Sequence, residues 1–292
     1  EYLHLLPIVV DNASTDGSVE LVRDRFPSVE VILNEKNLGF SEGNNVGIRS
    51  ALDRGADYVV LLNPDTRVTS GWLREMVDIG EGSPRVGIIG AVQMEYDTTN
   101  LNSWTMSAFP ALLEELRRPE TARRSILVEW VEGACFAIKR QVLEEVGFLD
   151  PIYYAFYEEI DFCRRAALAG WGVALAPRAR VHHYRGGSWK ADPIIQRERD
   201  YRCDRSQFIY TLTEPRRTLL GNLGWYLVTL GSKGKELLRT FTLARLWDLV
   251  RMQMDVLSSS RMLFAKWRRE RESFTLRPPL TTSSTNADQN PR

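Results

Sequence analysis

The sequence has few cysteines and no long apolar run. Its 292 residues include only three cysteines, Cys135, Cys163 and Cys203, which form no Cys-x-x-Cys pair. Neither a disulfide framework nor a structural zinc site is therefore expected, and a reducing compartment fits. The longest apolar stretch, 219–230, is broken by polar and glycine residues and is too short for a bilayer core of ~30 Å. No signal-peptide pattern opens the chain, so we expect a cytoplasmic protein.

The sequence also lacks two common phosphate cradles. No Gly-x-Gly-x-x-Gly follows a predicted strand, and Gly-x-x-x-x-Gly-Lys-Ser/Thr is absent. These absences exclude a dinucleotide-binding Rossmann enzyme and a P-loop nucleoside triphosphatase. A phosphate bound by this chain would need another positive partner, such as a metal ion.

The chain is 43% hydrophobic, enough to bury a core, and its formal net charge of zero hides an uneven distribution. Residues 1–176 hold 16 Lys and Arg against 27 Asp and Glu, whereas residues 177–277 hold 21 against 10. The basic third could meet phospholipid headgroups, a lipid phosphate or nucleic acid. A solvated helical surface is an equally good interpretation.

Strand-like and helix-like segments alternate over the first 92 residues. Short apolar runs at 8–10, 29–33, 58–62 and 86–92 predict strands, and helical periodicity lies between them. The run at 58–62 is apolar throughout, which is typical of a buried parallel strand. This alternation predicts a doubly wound α/β sheet with ligands at the carboxyl ends of the strands.

The rest of the chain is predicted to contain a polar insertion, more strands and a helical extension. Residues 94–125 read as a loop insertion with a helix around 112–118. The last fifteen residues, from Pro278, have a composition typical of disorder. The predicted strands are 126–131 and 134–138, and the predicted helices are 140–146, 158–169 and most of 195–276.

Two strands end in acidic or amide residues. Asp11-Asn12 follows the first apolar run, and Asn63-Pro64-Asp65 follows the third. We expect both tips at one edge of a parallel sheet, where a carboxylate could accept from a base or ribose, or bind Mg²⁺ or Mn²⁺ shared with phosphates. Taken singly, each Asp could equally be a helix N-cap or a turn residue.

Several short motifs occur along the chain in a fixed order. They are Asp11-Asn-Ala-Ser-Thr-Asp-Gly-Ser18, Asn37-Leu-Gly-Phe40 with Asn44-Asn45-x-Gly47, Leu62-Asn-Pro-Asp65, Glu132-Gly-Ala-Cys-Phe136, Val146-Gly-Phe-Leu-Asp150, Tyr157-Glu-Glu-Ile-Asp161 and His183-Tyr-Arg-Gly-Gly-Ser188. Together they resemble the inverting glycosyltransferase family 2, most closely its rhamnosyltransferase-like branch. The resemblance covers about residues 8–210.

The resemblance implies a GT-A-like mixed sheet flanked by helices, a nucleotide-diphosphate sugar donor and a divalent metal, Mg²⁺ or Mn²⁺. Asp65 and His183 would bind the metal, although His182 leaves the register open. The acceptor would be a glycan or a polyprenyl-linked sugar of the cell surface, with no nucleic-acid partner. The residues expected at the nucleotide sugar are Asp11, Asn12, Asn37, Gly39, Asn45 and Asn63.

An inverting transfer needs a base for the acceptor hydroxyl. Glu159 stands where the family has its base, and neighbouring carboxylates favour a raised pKa. Glu158 is a supporting residue, and Asp161 could bind the acceptor or orient arginines. Trp130 and Gly133 are expected on the acceptor side. The acidic cluster could instead simply complement the start of a helix.

The motif order departs from the family at its beginning, where a first strand and helix are expected before Val10-Asp11. That strand would lie in the middle of the sheet. We expect a GT-A-like domain over 1–190, a helical extension over 191–277 and a disordered tail over 278–292. The extension would either touch an anionic membrane surface or brace the domain. The alternative to an enzyme is a non-catalytic binding or scaffold protein with the same fold.

Overall fold

The structure is a computed structural model that describes residues 4–185, 192–239 and 242–276. The described residues form two compact units. Unit 1 comprises 4–154 and 158–185, and unit 2 comprises 155–157, 192–239 and 242–276. Gly186 to Ser188, Trp189 and the tail from Pro278 lie outside the described residues.

Unit 1 alternates strands with helices, as the periodicity predicts. Its strands are β1 (Ile8–Asp11), β2 (Glu30–Leu33), β3 (Tyr58–Leu62), β4 (Thr66–Val68), β5 (Val86–Glu95), β6 (Ile126–Leu127), β7 (Cys135–Lys139) and β8 (Gly172–His183). Its helices are α1 (Ser18–Arg25), α2 (Gly39–Asp53), α3 (Trp72–Gly82), α4 (Ser103–Ala108), α5 (Leu113–Arg117), α6 (Arg140–Val146) and α7 (Glu158–Leu168), with a 3-10 turn at Pro110–Leu112.

The strands of unit 1 form two sheets. Five strands of the larger, mixed sheet follow the order β3-β7-β5-β8-β4, and β6 also pairs with β8. Two layers of apolar side chains cover the large sheet, one including Ile88, Phe136 and Ile138 and the other Ile89, Ala137 and Ala174. The predicted mixed α/β architecture is confirmed.

The prediction that β1 and β3 share one parallel sheet is wrong. Among the described residues β1 pairs in parallel with β2 alone, whereas β3 pairs antiparallel with β7. Helix α2 packs on both β1 and β3 without a ladder joining them. An apolar run reports that a strand is buried but not which direction its neighbour takes, so the sequence could not decide the pairing.

The strand predicted at 126–131 is shorter than expected, and α4 and β4 were not predicted. The Val128 N–H still donates to the carbonyl of Val173 at 3.0 Å, but the chain then leaves the sheet. This departure lets Val131 enter the core and directs Glu132 toward other polar side chains.

Unit 2 is helical, and the prediction of a mostly helical 195–276 is confirmed. Its helices are α8 (Pro193–Leu212), α9 (Leu219–Arg239), α10 (Leu243–Ser258) and α11 (Ser260–Leu276). Asp192 caps α8 by accepting from the Ile194 N–H at 2.7 Å, with Pro193 in the first turn. None of the described helices is long and apolar enough to cross a membrane.

Candidate active site

The structure brings Asp65 together with one of the two neighbouring histidines. β4 pairs with β8 so that Thr66 lies opposite His183, which places the preceding Asp65 beside the imidazole. His183 Nε2 lies 3.1 Å from Asp65 Oδ1, and the Tyr184 N–H donates to the Asp65 carbonyl. His182 points elsewhere, with its Nδ1 3.1 Å from the Glu95 carbonyl oxygen. The register left open by the sequence therefore places His183 at Asp65.

The pair fits a divalent ion only in partnership with other ligands. Across 4–185, 192–239 and 242–276, no group of three or more His, Cys, Asp or Glu is arranged to hold a metal. Mg²⁺ commonly uses one or two protein ligands and completes its shell with substrate phosphates and water. Two adjacent ligand atoms of such an ion lie about 3 Å apart when each is ~2.1 Å from it. The observed separation of 3.1 Å suits that arrangement.

A buried polar chain leads away from His183, and sequence reasoning missed all of it. His183 Nδ1 lies 2.9 Å from Gln93 Oε1, to which Asn102 Nδ2 also donates at 3.2 Å. The side chain of Asn102 caps α4 by accepting from the Thr105 N–H at 2.6 Å. Gln93, Asn102 and Thr105 are each at most 2% exposed. The only signal in the sequence was a polar residue at the end of the apolar run Val86–Val92.

The same series of hydrogen bonds reaches a carboxyl group that was not among the predicted site residues. The hydroxyl of Thr105 lies 3.2 Å from the Gln93 carbonyl oxygen and also contacts Glu132 Oε1. Thr105 has one hydroxyl proton, so it cannot donate fully to the Gln93 carbonyl and to Glu132 at the same time. Burial, opposed by the Thr105 hydrogen bond, raises the pKa of Glu132 to about 7.

Two further carboxyl groups open α7. Glu158 is 5% exposed, and Glu159 is half-buried with a fully buried Oε2. Neither Oε2 has a hydrogen-bond partner among the described residues. Burial raises the pKa of both groups, and the Glu159 charge raises that of Glu158 further. A carboxyl group whose pKa lies nearer to neutrality accepts a proton more readily at physiological pH, as a general base must.

Gly133 lies directly against Glu159. A Cβ atom at this glycine would be 3.5 Å from Glu159 Cδ, so a larger side chain would crowd the carboxyl group. Glu159 also contributes to the raised pKa of Glu132 through charge repulsion. The structure thus gathers Glu132, Gly133, Glu158 and Glu159 in one region of unit 1.

Asp161 has a different environment from its neighbours. It is fully buried and ion-paired to Arg164 at 2.8 Å and Arg165 at 2.9 Å, with the Tyr153 hydroxyl at 3.3 Å. Its carboxylate therefore orients two arginines, which is one of the two roles the sequence left open. Phe156 and Tyr157, just before α7, have φ of 68° and 69°. Such backbone is costly for aromatic residues and is concentrated at functional sites.

The residues expected at the nucleotide lie around β1 and the start of α2. Asp11 Oδ2 accepts from the Ser14 N–H at 3.0 Å and closes a turn. Asn37 Oδ1 accepts from the Gly39 N–H and the Tyr154 hydroxyl, both at 2.9 Å. Gly39 has φ of 81°, and a Cβ there would lie 2.6 Å from Tyr154. Only glycine fits at this position.

Two of the predicted asparagines hold the framework together. Asn12 donates to the Gly39 carbonyl at 3.0 Å and accepts from Asn34 at 2.8 Å. Asn45 is 1% exposed and pairs with both the carbonyl and the N–H of Leu149, at 2.9 and 3.1 Å. These amides place β1, α2 and the 149–154 segment against one another.

The remaining predicted residues lie nearby in unit 1. Asn63 is half-buried, and its N–H donates to the Ala134 carbonyl beside Gly133. Trp130 is half-buried and packs on Phe109 with 5.3 Å between ring centroids. A cavity of about 490 Å³ opens beside β5, lined by Glu95, Arg117 and Arg180 among others, but none of the predicted site residues lines it.

Comparisons with known proteins agree on one class. The model of the family described as "Glycosyl transferase family 2" matches residues 2–147. An "N-acetylglucosaminyl-diphospho-decaprenol L-rhamnosyltransferase" of Mycobacterium tuberculosis is 27% identical over 64% of this chain and 68% of its own. The "Low-salt glycan biosynthesis hexosyltransferase Agl10" of Haloferax volcanii is 30% identical over 54% of this chain and 52% of its own.

A solved structure has the same fold. The mannosyltransferase PcManGT of Pyrobaculum calidifontis, in complex with GDP-Man and Mn²⁺, aligns over 92% of this chain and 76% of its own. The TM-score is 0.51 and the identity 16%, so this similarity concerns the fold alone.

Proposed function

The chain belongs to glycosyl transferase family 2, and from that membership we propose an inverting, metal-dependent transfer of a sugar from a nucleotide-diphosphate donor. The observation that carries the proposal is the Asp65–His183 pair, joined by hydrogen bonds to the region of the buried Glu132 and the half-buried Glu159. Such a site offers a place for a leaving diphosphate and a place for a base. Relatives named as transferases favour this function over a non-catalytic scaffold.

The metal side would consist of Asp65 Oδ1 and His183 Nε2. A divalent ion bound there would neutralise charge on the diphosphate. Asn63, just before Asp65, would orient the donor. The positive charge would replace the glycine-rich phosphate cradle that this sequence lacks.

The acceptor side would use Glu159 as general base, with Glu158 and Glu132 as neighbours. The acceptor O–H bond breaks as Glu159 takes its proton, and the oxygen attacks the anomeric carbon. The bond from that carbon to the diphosphate oxygen breaks, and its electron pair leaves with the diphosphate. Gly133 would leave room for the acceptor, and Trp130 would line its sugar ring.

The nucleotide side would use Asp11, whose Oδ1 has no partner among the described residues. We assign it to the base or ribose. Asn37 and Gly39 would shape the adjoining loop, and the buried amides of Asn12 and Asn45 would hold that loop in position. The Mycobacterium relative is named for rhamnosyl transfer onto a decaprenol-linked sugar, which favours a rhamnose donor and a polyprenyl-linked acceptor in cell-surface polysaccharide synthesis.

Calorimetry of donor binding tests the proposal. With dTDP-rhamnose, we expect binding to require Mg²⁺ or Mn²⁺ and Asp65→Ala to weaken it strongly. His182→Gln is the matched control, because His182 lies beside His183 but faces Glu95. Unchanged donor affinity in EDTA would contradict the metal role. A chain that binds the donor but transfers to no acceptor would favour the scaffold alternative.

The apolar stripe of α10 supports peripheral contact with an anionic membrane. This stripe consists of exposed residues at helical spacing: Leu243, Trp247, Val250, Met254 and Leu257. The acids of α10 point away from it, since Asp248 pairs with Arg197 and Asp255 accepts from Tyr201. Exposed Arg245 lies beside it, whereas Arg251 pairs with Glu198 and stacks on Tyr201 of α8. An apolar face without carboxylates and with a neighbouring arginine suits an anionic lipid surface.

Co-sedimentation with phosphatidylglycerol and phosphatidylcholine vesicles tests this contact. Binding to the anionic vesicles should fall steeply with salt and decrease in Trp247→Ala. Trp104→Ala, which changes an exposed tryptophan of unit 1, is the matched control. Absent or salt-insensitive binding would contradict the proposal. A dimer abolished by Trp247→Ala would instead make the stripe a self-association face.

A further inference from the structure

The direction of every hydrogen bond between α4 and His183 follows from one backbone group. The Thr105 N–H can only donate, so the Asn102 atom that faces it is the carbonyl oxygen. The other end of the Asn102 amide is then the NH₂ group. That group faces Gln93 at 3.2 Å, so the Gln93 atom there must be its oxygen.

The Gln93 oxygen also faces the histidine. His183 Nδ1 lies 2.9 Å from it, and an oxygen acceptor requires an N–H there. With a single ring proton on Nδ1, Nε2 keeps its lone pair, and this is the atom 3.1 Å from Asp65. The second hydrogen bond of a metal-binding histidine commonly sets its tautomer in this way.

We propose that Gln93 and Asn102 are positioning residues that hold His183 with its proton on Nδ1 and its Nε2 lone pair directed at the metal side of the site. The value of this arrangement for catalysis rests on the proposed metal role. Without Gln93 and Asn102, the Asp65 carboxylate would attract the ring proton to Nε2 and leave that atom unable to bind a metal. Burial protects these hydrogen bonds from competition by water, because Gln93 is 2% and Asn102 0% exposed.

Asn102→Asp is the sharpest variant because it keeps the cap and replaces only the NH₂ group, which contacts both Gln93 and Glu132. A carboxylate still accepts from the Thr105 N–H, but its second oxygen also accepts, so Gln93 should rotate and present its NH₂ group. That group would donate to His183 Nδ1 and drive the proton to Nε2. Gln93→Leu removes the acceptor and should also let the ring proton move to Nε2. Gln93→Glu keeps an acceptor oxygen and should keep the proton on Nδ1.

Nitrogen-15 NMR of the full chain without metal reads the tautomer directly. The chain has three histidines, so His182→Gln identifies the His183 signals. At a pH where His183 carries one ring proton, we expect Nδ1–H in the native protein and in Gln93→Glu, and Nε2–H in Asn102→Asp and Gln93→Leu. Nε2–H in the native protein, or no change in Asn102→Asp, would overturn the proposal.

Titration with Mn²⁺ in the presence of dTDP, whose diphosphate can complete the metal shell, separates this proposal from the metal role. Under these conditions Gln93→Leu should bind Mn²⁺ ~10–100-fold more weakly than the native protein, the usual scale for a partner of a metal-bound histidine. If the native protein binds no Mn²⁺ even with dTDP while its tautomer is Nδ1–H, the metal role fails and the hydrogen-bond direction stands. Equal Mn²⁺ affinity in both proteins would overturn the positioning role.

Discussion

The two sheets of unit 1 carry different halves of the candidate site and are held in different ways. All four residues of β1, on the proposed nucleotide side, are half-buried, and within the described part of the protein β1 has a ladder with β2 alone. Nine of the ten residues of β5, which carries Gln93, are buried, and β5 has ladders with β7 and β8. Side-chain amides replace the missing ladder on the nucleotide side. The chemical half, which contains Asp65, His183 and the carboxyl groups, is therefore positioned by strand pairing. The nucleotide half is held by the buried amide side chains of Asn12 and Asn45, which we call its clamps.

Hydrogen exchange would test this difference most directly. A strand with neighbours on both sides opens only with the whole unit, whereas one with a single neighbour can open locally. We expect amides of β5 to exchange ~10³-fold more slowly than those of β1. Equal protection of the two strands would show that α2 and its amide clamps stabilise β1 as firmly as a ladder.

The two halves should also separate kinetically. Glu159→Gln keeps size and polarity but removes basicity, so turnover should fall ~10²-fold or more with donor affinity nearly unchanged. Asp11→Asn should instead weaken donor binding about tenfold, because a hydrogen bond to a charged group is lost.

Glu158→Gln is the control for this comparison, since Glu158 is the neighbouring buried carboxyl. If Glu158→Gln lowers turnover strongly and Glu159→Gln does not, the base is Glu158. If both are mild, the carboxyl pair only supports the start of α7.

The clamps of the nucleotide half can be removed singly. Asn45→Ala leaves the buried N–H and carbonyl of Leu149 unpaired, which should lower the free energy of unfolding by about 1–3 kcal/mol. Asn44→Ala is the matched control, because Asn44 donates to the Phe40 carbonyl within its own helix. Denaturant melts of both variants measure the difference. Equal losses would mean that Asn45 is not a special anchor.

The chemical half should reveal its raised pKa values as a pH dependence of stability. The pKa of Glu132 is about 7 in the folded chain and lies near its ordinary value of 4.5 when unfolded. The folded state therefore binds more protons between these values, so stability falls as pH rises from about 4.5 to 7. Glu132→Gln should reduce that fall by about 1–3 kcal/mol. Melts at pH 4.5 and 7.5 that show the same change of stability in both proteins would contradict a raised pKa of Glu132.

Much of the architecture could be predicted from local pattern. The apolar run of β3 and the helix at 140–146 were located to the residue, because burial and helical spacing leave a direct mark on sequence. Strand pairing could not be predicted, because β3 would be equally apolar beside a parallel or an antiparallel neighbour. The short strand β4 carries too few residues for any periodicity.

The sequence by itself determined the family, the alternating α/β order and the residue types of the site, because motifs and hydrophobic periodicity are local features that can be recognised in the sequence. Only the tertiary structure decided between His182 and His183, since a register of one residue moves a side chain to the opposite face of a strand. It also brought in Gln93, Asn102 and Glu132. Their partners lie up to 90 residues away in the chain, where no local pattern can record a hydrogen bond.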